Sequence, residues 1–151
     1  MRIGAPKEIK VREYRVGLTT DSAAELVRAG HEVFIETGAG LGVGLSDDDY
    51  VAIGAKILPD ADSVFASADM IVKVKEPQAV EIARLRPHHL LFTYLHLAPD
   101  PDQAEALRRS GCTAIAYETV TDSRGRLPLL RPMSEVAGRM SVQVGAHYLE
   151  K

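Results

Sequence analysis

Met70-Ile71-Val72-Lys73-Val74, stopped by Pro77, and Leu90-Leu91-Phe92-Thr93-Tyr94 decide the fold. Both are short, dominated by β-branched, aromatic and leucine residues, and bounded by breakers, so both read as strands. Between them, Ala79 to Leu85 predicts a helix with Val80, Ala83 and Ile82 facing inward. The same alternation runs outward in both directions. Arg2-Ile3-Gly4-Ala5 is a short strand halted by Pro6, and His31-Glu32-Val33-Phe34-Ile35 is another. Lys56-Ile57-Leu58 and Thr113-Ala114-Ile115-Ala116-Tyr117 complete the set. Helices are expected between them: from Thr19–Ser22 to Gly30, from Ser46, over Asp62–Ser67, and over Pro101–Ser110 with Gly111 behind it. In the first of these, Ser22 and Glu25 have the spacing of a capping box. Strand and helix alternate about five times. That is the pattern of an α/β fold: a mostly parallel sheet with helices on both faces, a three-layer arrangement of flavodoxin or Rossmann type.

After a polar connection over Thr121–Pro132, a long helix is expected from Ser134. Val136, Met140, Val144 and Tyr148 recur along it every fourth residue. An apolar stripe of this kind seeks a partner, so a homo-oligomer is expected. The chain stops inside that helix at Lys151 with no Gly or Pro terminator, which suggests one piece of something longer.

Composition removes several function classes. At 151 residues the length fits one domain and supports a sizeable core. With 21 acidic and 18 basic residues the formal net charge is −3, which gives no electrostatic case for nucleic acid or for an anionic membrane. Aromatics are 5% and Trp is absent, so a stacking platform for single strands is not expected. The single cysteine, Cys112, rules out an intrachain disulfide and Cys-based zinc fingers. No apolar run approaches the ~18 residues of a membrane span. Met1 to Lys10 lacks the apolar stretch of a signal peptide, so a cytoplasmic location is expected.

Gly38-Ala39-Gly40-Leu41-Gly42-Val43-Gly44 follows a strand and invites comparison with a dinucleotide fingerprint. It fails. From Gly38 the third glycine falls on Val43, and from Gly40 it falls on Leu45. A structural or substrate-proximal turn is the better reading. Ligands of open parallel sheets bind beyond the carboxyl ends of the strands. Arg15, Lys75 and His96 all sit just past such ends. Each alone reads more readily as a loop residue. Together they make chemical sense. A guanidinium fork suits a carboxylate, an ammonium can polarise a carbonyl oxygen, and an imidazole exchanges protons near neutral pH. That set suits a 2-oxo acid or an amino acid. Cys112 reads as a packed residue, His147 as a surface or packing residue, and His88-His89 lack partners at metal-ligand spacing, so no metal is expected.

Specific motifs then add a resemblance. Met1-Arg2-Ile3-Gly4-Ala5-Pro6-Lys7-Glu8 with Glu13-Tyr14-Arg15-Val16-Gly17-Leu18-Thr19 resembles the start of the alanine dehydrogenases and of the related transhydrogenase alpha subunits. Val72-Lys73-Val74-Lys75-Glu76-Pro77, Leu91–Leu97, Ala114–Thr119 and Pro132–Arg139 extend the likeness over essentially the whole chain. Transhydrogenase alpha subunits lack the equivalents of Lys75 and His96 in the family pattern, so the resemblance favours alanine dehydrogenase. Thr20 in place of a Pro and Arg12 in place of an Asn are departures outside the proposed chemistry. The resemblance implies reversible conversion of L-alanine, NAD and water to pyruvate, ammonium and NADH. It implies that Arg15 and Lys75 hold the substrate, that His96 and Lys75 are catalytic, that Met133 lines the substrate site, and that Ser134 contacts the nicotinamide cofactor. Tyr94 and Glu118 would lie near the cleft. It divides the chain into a substrate domain over residues 1–131 and an inter-domain helix over 132–151. The NAD-binding domain of the family is not in this sequence, so the chain alone is expected to have little or no dehydrogenase activity. The alternatives are a transhydrogenase component and a non-catalytic binding or assembly module.

Overall fold

The computed structural model describes residues 1–150. The chain forms two compact units, Met1–Ile115 and Ala116–Lys151. In the first unit the expected alternation is present. Its elements are β1 (Arg2–Ala5), α1 (Thr20–Arg28), β2 (Glu32–Glu36), α2 (Asp47–Ala52), β3 (Lys56–Leu58), α3 (Ala61–Ser67), β4 (Met70–Val72), α4 (Ala79–Ile82), β5 (Leu90–Thr93), α5 (Pro101–Ser110) and β6 (Thr113–Ala116), the last residue of β6 falling in the second unit. The strands form one sheet in the order β3-β2-β1-β4-β5-β6. The pairs β1/β2, β1/β4, β2/β3 and β4/β5 are parallel. The order reverses between β1 and β4, which makes their carboxyl ends the topological switch point.

Side chains alternate across a strand, so both faces of this sheet must be covered. One face carries Ile3 and Ala5 of β1, Val33 and Ile35 of β2, and Val72 of β4, in a core shared with Ala23 of α1 and Tyr50 of α2. The other face belongs to Gly4 and Ile71. A methyl group at Gly4 would meet Val64 and Ala68, so the α3 segment lies directly on β1 there.

Local expectations held where the backbone decides them and failed where a polar group had to be satisfied. Ser46 and Asp49 cap α2 reciprocally: Asp49 N–H donates to Ser46 Oγ, and Ser46 N–H donates to Asp49 Oδ2 at 2.7 Å. The expected capping box on α1 is not formed. Thr19 is the N-cap and accepts from Ser22 N–H, while Glu25 pairs with Arg28 one turn on. The helix expected over Ala79–Leu85 shortens to Ala79–Ile82, and its inward face is not the apolar one. Val80 is 58% exposed and Ala83 is exposed, whereas Glu81 is buried. Glu81 turns in because its carboxylate accepts from Gln78 N–H at 2.7 Å and pairs with Lys73 at 2.7 Å. A charge-assisted partner outweighs the small gain from covering one valine.

His89 illustrates the same rule. It is buried, its Nδ1 accepts from Arg86 N–H at 3.0 Å, and its Nε2 lies 3.0 Å from Phe65 O. These two partners are both satisfied only by a neutral ring protonated on Nε2. Burial, then the neighbouring His88, pushes its pKa below the ordinary value. The folded chain therefore holds this proton less tightly than the unfolded chain does. The stability it contributes is complete above about pH 6.5 and is lost as pH falls through the lower folded value. Thermal melts at pH 7 and pH 5 should show a smaller acid-induced drop for His89→Gln than for the wild type. Equal drops would exclude this account.

The second unit holds a 3-10 turn over Tyr117–Thr119 and α6 (Arg131–Leu149). Helix α6 begins three residues before the expected Ser134, with Pro132 in its first turn, where a missing N–H costs nothing. Val136, Met140, Val144 and Tyr148 are exposed, at 58%, 52%, 47% and 81%.

Candidate functional site

The connection from β1 to α1 is long, covers residues 6–19, and lies over the switch point. It carries Glu8, Glu13 and Arg15. Two glycines fix its path by close approach. A Cβ at Gly17 would lie 2.4 Å from Val72 O, and one at Gly42 would lie 2.2 Å from Tyr14 O. The loop is therefore pressed against the end of β4 on one side and against the glycine-rich turn on the other. The glycine-rich segment is thus a packing surface behind the Arg15 loop. Its 3-10 turn, Leu41–Val43, shows no dinucleotide fingerprint.

Lys75 and His96 come from neighbouring parallel strands, as the joint reading required. Thr93 Oγ1 donates to Lys75 O at 2.9 Å, and Tyr94 N–H donates to Val74 O at 3.3 Å. The peptide carrying Lys75 is thus pinned to the end of β5. Tyr94 is buried and stacks on the His96 ring, with centroids 5.9 Å apart and planes 15° from parallel. His96 has φ +48°, a left-handed backbone that a residue with a Cβ adopts at a cost. That strain sits where the chain leaves β5 and lays the imidazole on Tyr94. Tyr94 in turn lies within electrostatic reach of Arg15. Arg15, Lys75, Tyr94 and His96 therefore gather at the carboxyl ends of β1, β4 and β5.

Two features escaped sequence reasoning. The first is Glu13. Its Oε1 accepts from Arg15 Nε at 2.8 Å and from Arg15 N–H at 2.9 Å, and its Oε2 accepts from the guanidinium at 2.6 Å. The Glu13 side chain is 7% exposed, against 42% for Arg15. Hydrogen bonds from Arg15 hold the Glu13 carboxyl below its usual range, against the opposing effect of burial, and Lys75 adds to the lowering. The Arg15 guanidinium is correspondingly raised. The spacing Glu-x-Arg was the available signal.

The second is a buried charge cluster behind the site. Lys73 is fully buried and pairs with Glu8 at 3.1 Å and Glu81 at 2.7 Å, both carboxylates being 2% exposed. Glu8 also accepts from Val74 N–H at 2.7 Å. The cluster joins the β1–α1 loop, β4 and α4. In sequence, Lys73 reads as one more strand residue, because nothing local announces a partner 65 positions away.

Met133, Ser134 and Glu118 belong to the second unit. Met133, on the first turn of α6, is 40% exposed, and Ser134 Oγ donates to Leu130 O at 3.3 Å. Glu118 lies in the 3-10 turn. An open groove of about 570 Å³, lined by residues including Lys10, Glu76, Gln78, Asp100 and Gln103, contains none of the candidate residues. Among the described residues no His/Cys/Asp/Glu group could hold a metal, and no helix is long and apolar enough to cross a membrane.

Comparison with known proteins finds relatives over the whole chain. The family model described as "Alanine dehydrogenase/PNT, N-terminal domain" matches residues 4–137. An alanine dehydrogenase of Halomonas elongata is 55% identical over 151 residues, all of this chain and 41% of that protein. One from Mycobacterium tuberculosis is 54% identical over 149 residues, 99% of this chain and 40% of that protein. A solved L-alanine dehydrogenase superposes with a TM-score of 0.91 at 55% identity, covering 99% of this chain and 41% of its own. A transhydrogenase from Sinorhizobium meliloti gives 0.76 at 29% identity, covering 82% of this chain and 37% of its own. The chain thus spans about two-fifths of the length of these relatives. With its Rossmann strand order and a family likeness that runs over most of its length, the chain belongs to the alanine dehydrogenase/PNT N-terminal domain family.

Proposed function

We propose that this chain supplies the substrate half-site of an NAD-dependent alanine dehydrogenase, which interconverts L-alanine, NAD and water with pyruvate, ammonium and NADH. The observation that carries the reading is the convergence of Arg15, Lys75 and His96 on adjacent strand ends. Hydride chemistry belongs to the nicotinamide cofactor. The β1–α1 connection has no phosphate-binding glycine turn, and the residues of the first unit do not fit a dinucleotide. What they do is bind, orient and manage a proton.

Arg15 holds the substrate carboxylate, with its guanidinium plane fixed by Glu13. The Lys75 ammonium meets the oxygen at C2 and stabilises the negative charge that builds there when water adds to the imine carbon. The His96 imidazole takes the proton that this water loses. It returns that proton to the amine nitrogen and takes the remaining hydroxyl proton as the C–N bond breaks, so that the carbonyl forms and ammonia leaves. Tyr94, stacked on His96, limits the ring to one plane. Met133 is assigned to the substrate and Ser134 to the nicotinamide, on family resemblance. The exposed apolar stripe of α6 supports self-association.

Titration calorimetry with pyruvate tests the reading. Saturable binding at one site per chain, within the roughly micromolar-to-millimolar range of enzyme substrates, is expected. No heat of binding at concentrations about tenfold above that range would overturn it.

A further inference from the structure

The strongest unexplained choice in the site is a carboxylate beside the group meant to grip a carboxylate. Glu13 is nearly buried and holds Arg15 through two side-chain bonds and one backbone bond. It also lies close enough to Lys75 to feel its charge. A site built only for affinity toward anions would leave both cations uncompensated.

The charges form two layers. The layer at the strand ends contains Arg15, Lys75 and Glu13, one positive charge in sum. The buried layer behind it contains Lys73, Glu8 and Glu81, one negative charge in sum. Glu8 acts on Arg15 as well. The six groups therefore cancel before any ligand arrives. A single substrate carboxylate meets a front layer of matching and opposite charge. A second carboxylate meets no uncompensated cation in this cluster, and the Glu13 charge repels a dianion twice as strongly as a monoanion.

We propose that Glu13 is a specificity-determining residue: its carboxylate, locked on Arg15 and close to Lys75, tunes the site to acids with one carboxylate and against dicarboxylates. The inference rests on the substrate half-site reading above. It goes beyond that reading by assigning selectivity to a residue that touches Arg15 rather than the reacting carbon.

Oxamate and oxalate separate charge from shape. Both are planar two-carbon ligands of nearly equal size, and they differ by one amide in place of one carboxylate. The affinities of pyruvate, oxamate and oxalate are measured by calorimetry near neutral pH for the wild type, Glu13→Gln and Glu13→Asp. Circular dichroism confirms folding. In Glu13→Gln the oxalate-to-oxamate affinity ratio should rise about tenfold or more, since a like charge has been removed. In Glu13→Asp the charge stays, and the ratio should remain within about twofold of the wild type. A merely structural role would weaken both ligands together and leave the ratio unmoved. An unchanged ratio in Glu13→Gln overturns the proposal while the half-site reading stands. Wild-type protein that binds neither pyruvate nor oxamate overturns both. If the amide variant does not fold, Glu13→Ser supplies the neutral side chain, with a hydroxyl that can accept from Arg15, and the same ratio decides.

Discussion

Lys73→Met should destabilise the chain by about 3–5 kcal/mol, because it strips the paired ammonium from two buried carboxylates. Methionine has nearly the right length and shape, so the loss is electrostatic and not a cavity effect. For a domain of this size the melting temperature should fall by roughly 8–15 °C. The triple change Lys73→Met, Glu8→Gln and Glu81→Gln removes every charge from the cluster and should recover a large part of that loss. Thermal denaturation of the two variants beside the wild type decides the matter. A single variant that melts within about 2 °C of the wild type would show that the cluster contributes little. The physical logic is asymmetric: a buried ion pair adds modest stability, but half of one is costly.

Arg15→Ala should weaken pyruvate binding by about 100-fold, the loss typical of truncating one partner of a hydrogen-bonded charge pair. The substitution also frees Glu13, whose carboxylate then lies near Lys75 with no guanidinium to neutralise it. The remaining ammonium is thereby partly cancelled. Arg15→Lys should recover only part of the loss, because a point charge cannot reproduce the planar fork that Glu13 aligns. Calorimetry reads both variants directly. Pyruvate affinity in Arg15→Ala within about threefold of the wild type would remove Arg15 from the site.

These two experiments address residues of unequal legibility. Arg15 could be nominated from sequence because it follows a recognisable strand, and strand ends are where open parallel sheets bind ligands. Lys75 and His96 could be nominated for the same reason, conditional on their strands being neighbours. The β4/β5 pairing meets that condition. Helix α5 was legible to the residue, since Pro at its start and Gly111 at its end are backbone instructions. The facing of α4 departs from its apolar period, which favours Val80, because a lysine eight residues earlier in the chain requires Glu81 inside. Helix α6 starts before Ser134 because Pro132 belongs in its first turn, where a missing N–H costs nothing.

The alternation of strands and helices, the missing dinucleotide fingerprint, and three cationic or titratable groups past strand ends are all legible before folding is considered. Those properties are written in periodicity, breakers and residue type, all of which act within a few positions. The tertiary structure alone decided the strand order, the seating of Arg15 between β4 and the glycine turn, and the grip of Glu13 on its guanidinium. It alone decided that Lys73 is buried between Glu8 and Glu81. Those features depend on charges and backbone groups brought together from distant parts of the chain. Burial strengthens them and forbids leaving any one unpaired, so they are fixed only when the whole sheet closes around them.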